Sequence, residues 1–255
     1  MDYTIRRKET LIVLARVFDV GYNEIADANR HVDPWVPGKG SRISIPNSWL
    51  LPEIIDNGIL INLAEMRLYY FFFMDNHKYV STYPIGIGRE GFDTPVGEYN
   101  ITLKVKDPVW RVPEDIRKER PELPPYVPPG PDNPLGRYWL QLSVNSYGIH
   151  GTNRPYGIGR RASHGCIRLY PEDISILANL VGPGTPVKIV DEAVKVGMHK
   201  NKVYMEVHRS EQDDSDLMRL AAEKLSRKRL LKYVDSELMI RAVKSATGLP
   251  AVISK

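Results

Sequence analysis

Three apolar runs crowd into residues 58–86, and they constrain the fold of this chain more than any other feature. Gly58-Ile59-Leu60-Ile61-Asn62-Leu63, Met66-Arg67-Leu68-Tyr69-Tyr70-Phe71-Phe72 and Tyr79-Val80-Ser81-Thr82-Tyr83-Pro84-Ile85-Gly86 are rich in β-branched and aromatic residues. Such residues suit a pleated, half-buried surface. Asp75-Asn76 supplies turn chemistry between the second and third runs, so this pair reads as a hairpin. Further strands are expected at Tyr138–Leu142 and Tyr147–Ile149, with Thr185–Val190 closing the sheet. One helix should open at Pro171-Glu172-Asp173, with proline at its start, acid in its first turn and Tyr170 at the cap. The expectation for residues 58–192 is a mainly β domain with a few helices.

Eight prolines (108, 113, 121, 124, 125, 128, 129 and 131) fall between Asp107 and Asn133. That is too many for a helix or an inner strand. A long loop inside a domain is usually functional or disordered. It reads either as a stiff lid over a groove or as a surface excursion. Trp110, Arg111, Tyr126 and Arg137 are its candidates for substrate contact, with Asn153 beside the site described next.

Chemistry concentrates in Ile149-His150-Gly151-Thr152-Asn153 and Ser163-His164-Gly165-Cys166-Ile167-Arg168-Leu169. These stretches hold the only cysteine and two of the six histidines. A thiol attacks as thiolate, and a nearby imidazole can take its proton. His150 lies 16 residues before Cys166, and Pro155, Gly157 and Gly159 let the intervening loop fold back. A lone cysteine can instead be a small buried hydrophobe, but the neighbouring histidines argue against that here. No second cysteine or nearby carboxylate completes a zinc tetrahedron, so no metal is expected, and no cofactor is indicated. Main-chain N–H groups of the Gly165-Cys166 turn are candidates for holding an oxyanion. Ser163 and His164 read as supports of the site. Arg168 either pairs with a substrate carboxylate or holds the loop. A papain-like thiol protease would place its cysteine first and its histidine far downstream, the reverse of this order.

His-Gly-Thr-Asn, a glycine-rich loop and Ser-His-Gly-Cys-Ile-Arg-Leu together resemble the signature of the YkuD-type L,D-transpeptidases, which remodel bacterial peptidoglycan. Gly86-Ile87-Gly88 and Thr94–Tyr99 resemble the family too. The resemblance implies a β-sandwich or barrel with a few helices, Cys166 as nucleophile and His150 as general base. It gives the Gly151 carbonyl the orienting role that a carboxylate plays elsewhere. The implied donor is a stem tetrapeptide cleaved before its terminal D-alanine. The acceptor would be a diaminopimelate amine of another stem or a lysine of an outer-membrane lipoprotein, and water would make the enzyme a carboxypeptidase. A noncatalytic wall-binding protein is the remaining alternative.

Residues 1–48 read as a small β-α-α-β unit. Thr10 and Asn23 are the expected helix caps, and Arg42–Pro46 is an edge strand. The unit resembles a LysM module, with Arg7-Lys8-Glu9-Thr10 in place of the usual Gly-Asp-Thr. With the proline-rich insert, it resembles the lipoprotein-anchoring ErfK/YbiS/YcfS/YnhG subgroup. The implied partners are peptidoglycan stem peptides and glycan strands. Residues 49–57 read as a linker. Residues 193–255 read as a hairpin around His199–Lys202 followed by two short helices, the first capped by Ser215.

The net charge of +4 is mild and no aromatic-basic pattern suggests nucleic acid. Arg6-Arg7-Lys8 and Leu11–Ala15 mimic a secretory leader, but Arg16 interrupts the apolar run. Tyr70–Met74 is far too short to span a bilayer. A wall substrate implies the periplasm, and hence a mature form whose export signal has been removed.

Overall fold

The computed structural model describes residues 1–53, 55–144, 146–209 and 214–255, without the side chains of residues 115 and 214. The chain forms two compact units. One comprises Met1–Ile55, Asn62–Met66 and Val190–Lys255, and the other comprises Asp56–Ile61 and Arg67–Ile189.

The chain starts with strand β1 (Asp2–Thr4), helices α1 (Leu11–Val17) and α2 (Tyr22–Asp27) and strand β2 (Arg42–Ser44), with β1 and β2 paired antiparallel. The Thr10 hydroxyl caps α1 by accepting from Val13 N at 3.3 Å. Leu11, Leu14 and Ala15 turn inward to meet Ile25, Ile43 and Ile45. Asn23 does not cap α2. That helix starts at Tyr22, and the Glu24 carboxylate satisfies Gly21 N–H at 2.6 Å. The Asn23 amide donates instead to the Glu65 carbonyl at 3.0 Å. Asn29 is buried and fully used: its amide donates to Ile25 O and Ser44 O, each at 2.7 Å, and its carbonyl accepts from Ser44 N at 2.6 Å.

Next come β3 (Gly58–Asn62), β4 (Arg67–Met74), β5 (His77–Pro84), β6 (Ile87–Gly88) and β7 (Gly97–Lys106). The insert holds β8 (Trp110–Arg111), α3 (Glu114–Glu119) and β9 (Tyr126–Val127). After it follow β10 (Tyr138–Leu142), β11 (Gly148–His150), β12 (Arg161–Ser163), β13 (Ile167–Arg168), α4 (Pro171–Leu180) and β14 (Pro186–Val190). Eight of these strands form one sheet in the order β13-β11-β10-β7-β14-β3-β4-β5. The β4–β5 hairpin turns through Asp75 and Asn76, both at positive φ (49° and 59°). Two such residues match the twist of the flanking strands.

Two local expectations differ from the structure. β14 lies inside the sheet between β7 and β3 rather than at its end. Its proline is tolerated because Pro186 is the first residue of the strand. The proline-rich insert is not pure loop either. Pro113 and Pro121 bracket the six-residue α3, where a missing N–H is harmless, and β8 pairs with β9.

The chain ends with β15 (Val194–His199), β16 (Lys202–Val207), α5 (Asp214–Arg227), α6 (Ser236–Ser245) and β17 (Ala251–Val252). β15, β16 and β17 form a sheet, and the first pair turns through Lys200 and Asn201 at positive φ. α5 begins at Asp214, so Ser215 lies within its first turn, and residues 210–213 lie outside the described set. Asp235 caps α6 by accepting from Glu237 N and Leu238 N. Among the described residues, no helix is long and apolar enough to cross a membrane.

A charged cluster is sealed in the first unit. Glu65, Lys195, Glu206 and His208 are all buried. Lys195 Nζ lies 2.6 Å from Glu65 Oε2 and 2.7 Å from Glu206 Oε1, and His208 Nε2 is 2.7 Å from Glu206 Oε1. Asn62 Nδ2 donates to Glu65 Oε1 at 2.7 Å, and Leu50 N donates to Glu206 Oε2 at 2.6 Å. Burial alone would pull the Lys195 ammonium down, but the two carboxylates outweigh it and hold its pKa above the ordinary lysine value. Burial likewise pushes Glu206 up, yet Lys195 and His208 together keep it below the ordinary carboxylate value.

Candidate active site

β11 and β13 run parallel, with Ile149 opposite Ile167 and His150 opposite Arg168. Cys166 immediately precedes β13, so the pairing brings the end of one motif beside the other. Both Cys166 and His150 line one cavity of about 550 Å³.

The backbone of the cysteine turn is fastened from several sides. Gly165 sits at φ +101°, and a Cβ there would come within 2.5 Å of the Tyr147 ring. Only glycine fits this turn. Ser163 Oγ accepts from Gly165 N at 3.1 Å and donates to Cys166 O at 2.6 Å. Thr94 Oγ1 donates to Gly165 O at 2.8 Å and accepts from Gly88 N at 3.1 Å. Arg89 N donates to Ser163 O at 2.9 Å. Ser163 therefore works as a brace. The Gly165 N–H is consumed by this network, which leaves Cys166 N–H as the main-chain donor of the turn.

His150 is buried, and its Nδ1 lies 2.6 Å from the Gly151 carbonyl. A carbonyl only accepts, so Nδ1 carries the proton and Nε2 keeps its lone pair. Burial, reinforced by the charge of Arg168 and only partly offset by the Gly151 carbonyl, lowers the His150 pKa from 6.5 to about 3. The ring is neutral throughout the ordinary pH range. Burial also raises the Cys166 thiol above its ordinary value, and Sγ lies 3.6 Å from the Ser146 carbonyl. The resting pair is therefore thiol and imidazole, not thiolate and imidazolium.

This ground state has a direct consequence. Alkylation of Cys166 by iodoacetamide is expected to be slow at pH 7 and to climb steadily with pH, without a plateau below the ordinary thiol pKa. The check is the pH–rate profile followed by intact mass. A rate that stays flat down to pH 5 would contradict it, because only a preformed thiolate reacts that way.

Of the residues singled out in the sequence, Trp110, Arg111, His150, Ser163, His164, Cys166 and Arg168 all line the cavity. Gly151 and Gly165 are not in the lining but contact residues that are, Gly151 through its carbonyl to His150 and Gly165 through its N–H to Ser163. Tyr126 stands behind Arg111, whose guanidinium is 5.6 Å from its ring centre. Arg137 faces Asp107 at 3.5 Å, and Asn153 Nδ2 donates to Asp132 O at 2.9 Å. Those two residues secure the insert and are not part of the lining. Trp139, Leu135, Phe92 and Ile116 complete an apolar wall that motif reading missed. Trp139 sits directly opposite His150 in the β10–β11 register, with ring centres 5.6 Å apart. Thr94 falls in a stretch that resembles the family, but its bond to Gly165, 71 residues away, carries no local signal.

No carboxylate lines the cavity among the described residues, whereas Arg111 and Arg168 do. Arg168 Nη1 donates to Ala162 O at 3.2 Å, and its buried Nε has no partner. A site with free guanidinium donors and no competing acid is suited to a ligand bearing carboxylates.

Comparison with known proteins agrees with this geometry. Residues 56–189 match the family model of the YkuD L,D-transpeptidase catalytic domain. Probable L,D-transpeptidase YcfS of Escherichia coli strain K12 is 37% identical over 260 residues, covering 96% of this chain and 81% of that protein. Probable L,D-transpeptidase YbiS of the same strain is 41% identical over 209 residues, covering 78% of this chain and 66% of its own length, just under two thirds. Putative L,D-transpeptidase YkuD of Bacillus subtilis strain 168 is 30% identical over 191 residues, covering 74% of this chain and 98% of that protein. With the Cys166/His150 site falling inside the matched segment, the chain belongs to the YkuD L,D-transpeptidase family.

Proposed function

We propose that this chain is a peptidoglycan L,D-transpeptidase working through a thioester on Cys166. The observation that carries the reading is the arrangement of Cys166 and His150. They line a single cavity, and the Gly151 carbonyl fixes the imidazole with its Nε2 lone pair free. As Sγ attacks the carbonyl of the third residue of a stem tetrapeptide, the thiol proton passes to His150 Nε2. Cys166 N–H stabilises the oxyanion. The C–N bond to D-alanine then breaks, and His150 returns the proton to the leaving amine. An incoming amine next attacks the thioester, gives its proton to His150 and re-forms the thiol as the C–S bond breaks. The imidazolium formed in passing is buried beside Arg168, so it exists only while the proton is in transit. Arg168 and Arg111 hold carboxylates of the stem peptide, and Trp110 lies along it.

The acceptor in this reading is a diaminopimelate amine of a second stem or a lipoprotein lysine. Residues 1–48 act as a LysM-like module on the glycan, residues 49–57 as a linker, residues 58–192 as the catalytic domain and residues 193–255 as an appended part. The setting is the periplasm or cell envelope of a bacterium. The test is intact-protein mass spectrometry after mixing the protein with a carbapenem, then with disaccharide-tetrapeptide. An adduct on Cys166 with release of D-alanine is expected. Cross-linked dimers identify transfer, and free tripeptide identifies an L,D-carboxypeptidase. Absence of both adduct and turnover would overturn the catalytic reading in favour of wall binding alone.

A further inference from the structure

The insert between β7 and β10 supplies one wall of the cavity through Trp110, Arg111, Pro113 and Ile116. Its base is well tied. Asn133 Nδ2 reaches Pro108 O at 2.8 Å, Pro128 O at 3.2 Å and Val127 O at 3.3 Å, and Val112 N donates to Pro125 O at 3.0 Å. Helix α3 is different. It has six residues, too few to be stable alone. Ile116 is partly buried, but Arg117, Lys118 and Glu119 are exposed.

What anchors the free end of α3 is Glu119. Arg89 Nη2 donates to both of its oxygens, at 2.7 and 2.9 Å. The same nitrogen lies 3.1 Å from His164 Nε2. Arg89 therefore bridges Glu119 and the His164 ring. Glu119 Oε2 also lies 3.4 Å from His164 Nε2, so Arg89 is the closer of its two partners. Phe92 packs this junction, with its ring centre 4.6 Å from the Arg89 guanidinium and 4.7 Å from the His164 ring. His164 is two residues before the cysteine, yet the cysteine turn has its own fastenings through Ser163, Thr94 and Arg89 N. Loss of Glu119 therefore frees the wall without loosening the nucleophile.

We propose that Glu119, gripped by Arg89 against His164, is a positioning residue that keeps α3 closed on the Cys166 cavity and so favours transfer to an amine over loss to water. The inference rests on the Cys166 thioester proposed above. A thioester has two competing exits: an amine yields an amide and the thiol, whereas water yields a carboxylic acid and the thiol. A closed apolar wall disfavours the second by limiting solvent at the reacting carbon.

The experiment compares wild type, Glu119→Gln, Arg89→Gln, their double mutant and Glu119→Asp on disaccharide-tetrapeptide with excess lysine-containing peptide as an added acceptor. D-Alanine release reports acylation, and the ratio of transfer products (dimer plus lysine adduct) to tripeptide reports the partition. In each single Gln variant the ratio is expected to fall about two- to fivefold, the range open to an exposed ion pair, while D-alanine release changes less than about twofold. The double mutant should be no worse than either single mutant, and Glu119→Asp should recover part of the ratio. An unchanged ratio overturns the latch, as does a fall matched by an equal loss of D-alanine release. A wild type that makes only tripeptide also overturns it. A wild type with neither adduct nor D-alanine release sinks the thioester reading itself, and the latch with it.

Discussion

Cys166→Ala is expected to abolish acyl-enzyme formation and D-alanine release while leaving the fold intact. No other thiol exists in the chain to substitute for it. The stability cost should be small because Cys166 is half-buried as a residue and its thiol makes only weak contacts, such as the 3.6 Å approach of Sγ to Ser146 O. The turn itself is held by backbone and hydroxyl bonds that survive the substitution. His150→Gln should keep the fold too, and should slow acylation by about 10²–10⁴, the usual worth of a positioned base. The pH profile distinguishes this buried histidine from an ordinary one. With the pKa of His150 near 3, kcat/KM of the wild type should show no acid limb around 6.5. Arg168→Gln removes a neighbouring positive charge and should move that limb upward. The same shift acts on stability. Between pH 6.5 and about 3 the unfolded chain binds a proton that the folded chain refuses, so acid favours unfolding across that window. His150→Gln should lose this part of the acid sensitivity. Residual D-alanine release by Cys166→Ala would refute the mechanism.

The second large effect lies away from the active site. Lys195→Ala is expected to destabilise the unit that holds it by about 3–5 kcal/mol, because it removes the lysine that pairs with both buried carboxylates. Glu65 and Glu206 are both fully buried, and Lys195 Nζ is within 2.7 Å of each. Urea unfolding followed at Trp49, which lies in this unit and donates to Glu24 Oε1 at 2.8 Å, would measure the loss. The penalty should shrink on acidification, since protonation neutralises the carboxylates. In the wild type the sign is opposite. Glu206 is held below its ordinary 4.5, so its contribution is fully present above that pH and is lost as pH falls through its folded value. Adding Glu65→Gln and Glu206→Gln to Lys195→Met should recover much of the loss, because neutral groups cost less to bury. A change under about 1 kcal/mol for Lys195→Ala would mean that water enters the cluster.

Much was legible from the residues because the physics behind it is local. Strands β3, β4 and β5 follow from apolar and aromatic runs, and their hairpin follows from Asp75-Asn76. Thr10 caps α1 because its hydroxyl reaches an amide three residues on. The cysteine and histidine motifs stood out by residue type alone, and the β11–β13 pairing brings them together. Where two local solutions competed, only packing chose. Asn23 is a sound cap by propensity, but its amide was needed by Glu65, 42 residues away, and Glu24 satisfied Gly21 instead. Prolines announced an irregular insert, yet they fell at element ends, so α3 and a β8–β9 pair could form between them.

The low pKa of His150, the absence of carboxylates from the cavity among the described residues and the buried Lys195 cluster were beyond sequence reading. Lys195 sits in β15 as one residue of an alternating strand, and its partner Glu65 lies 130 positions earlier in a turn. Local sequence fixes backbone propensity and the kind of chemistry each side chain can do. Desolvation and charge pairing depend on which distant groups share a low-dielectric space, and that is decided only when the tertiary structure closes around them.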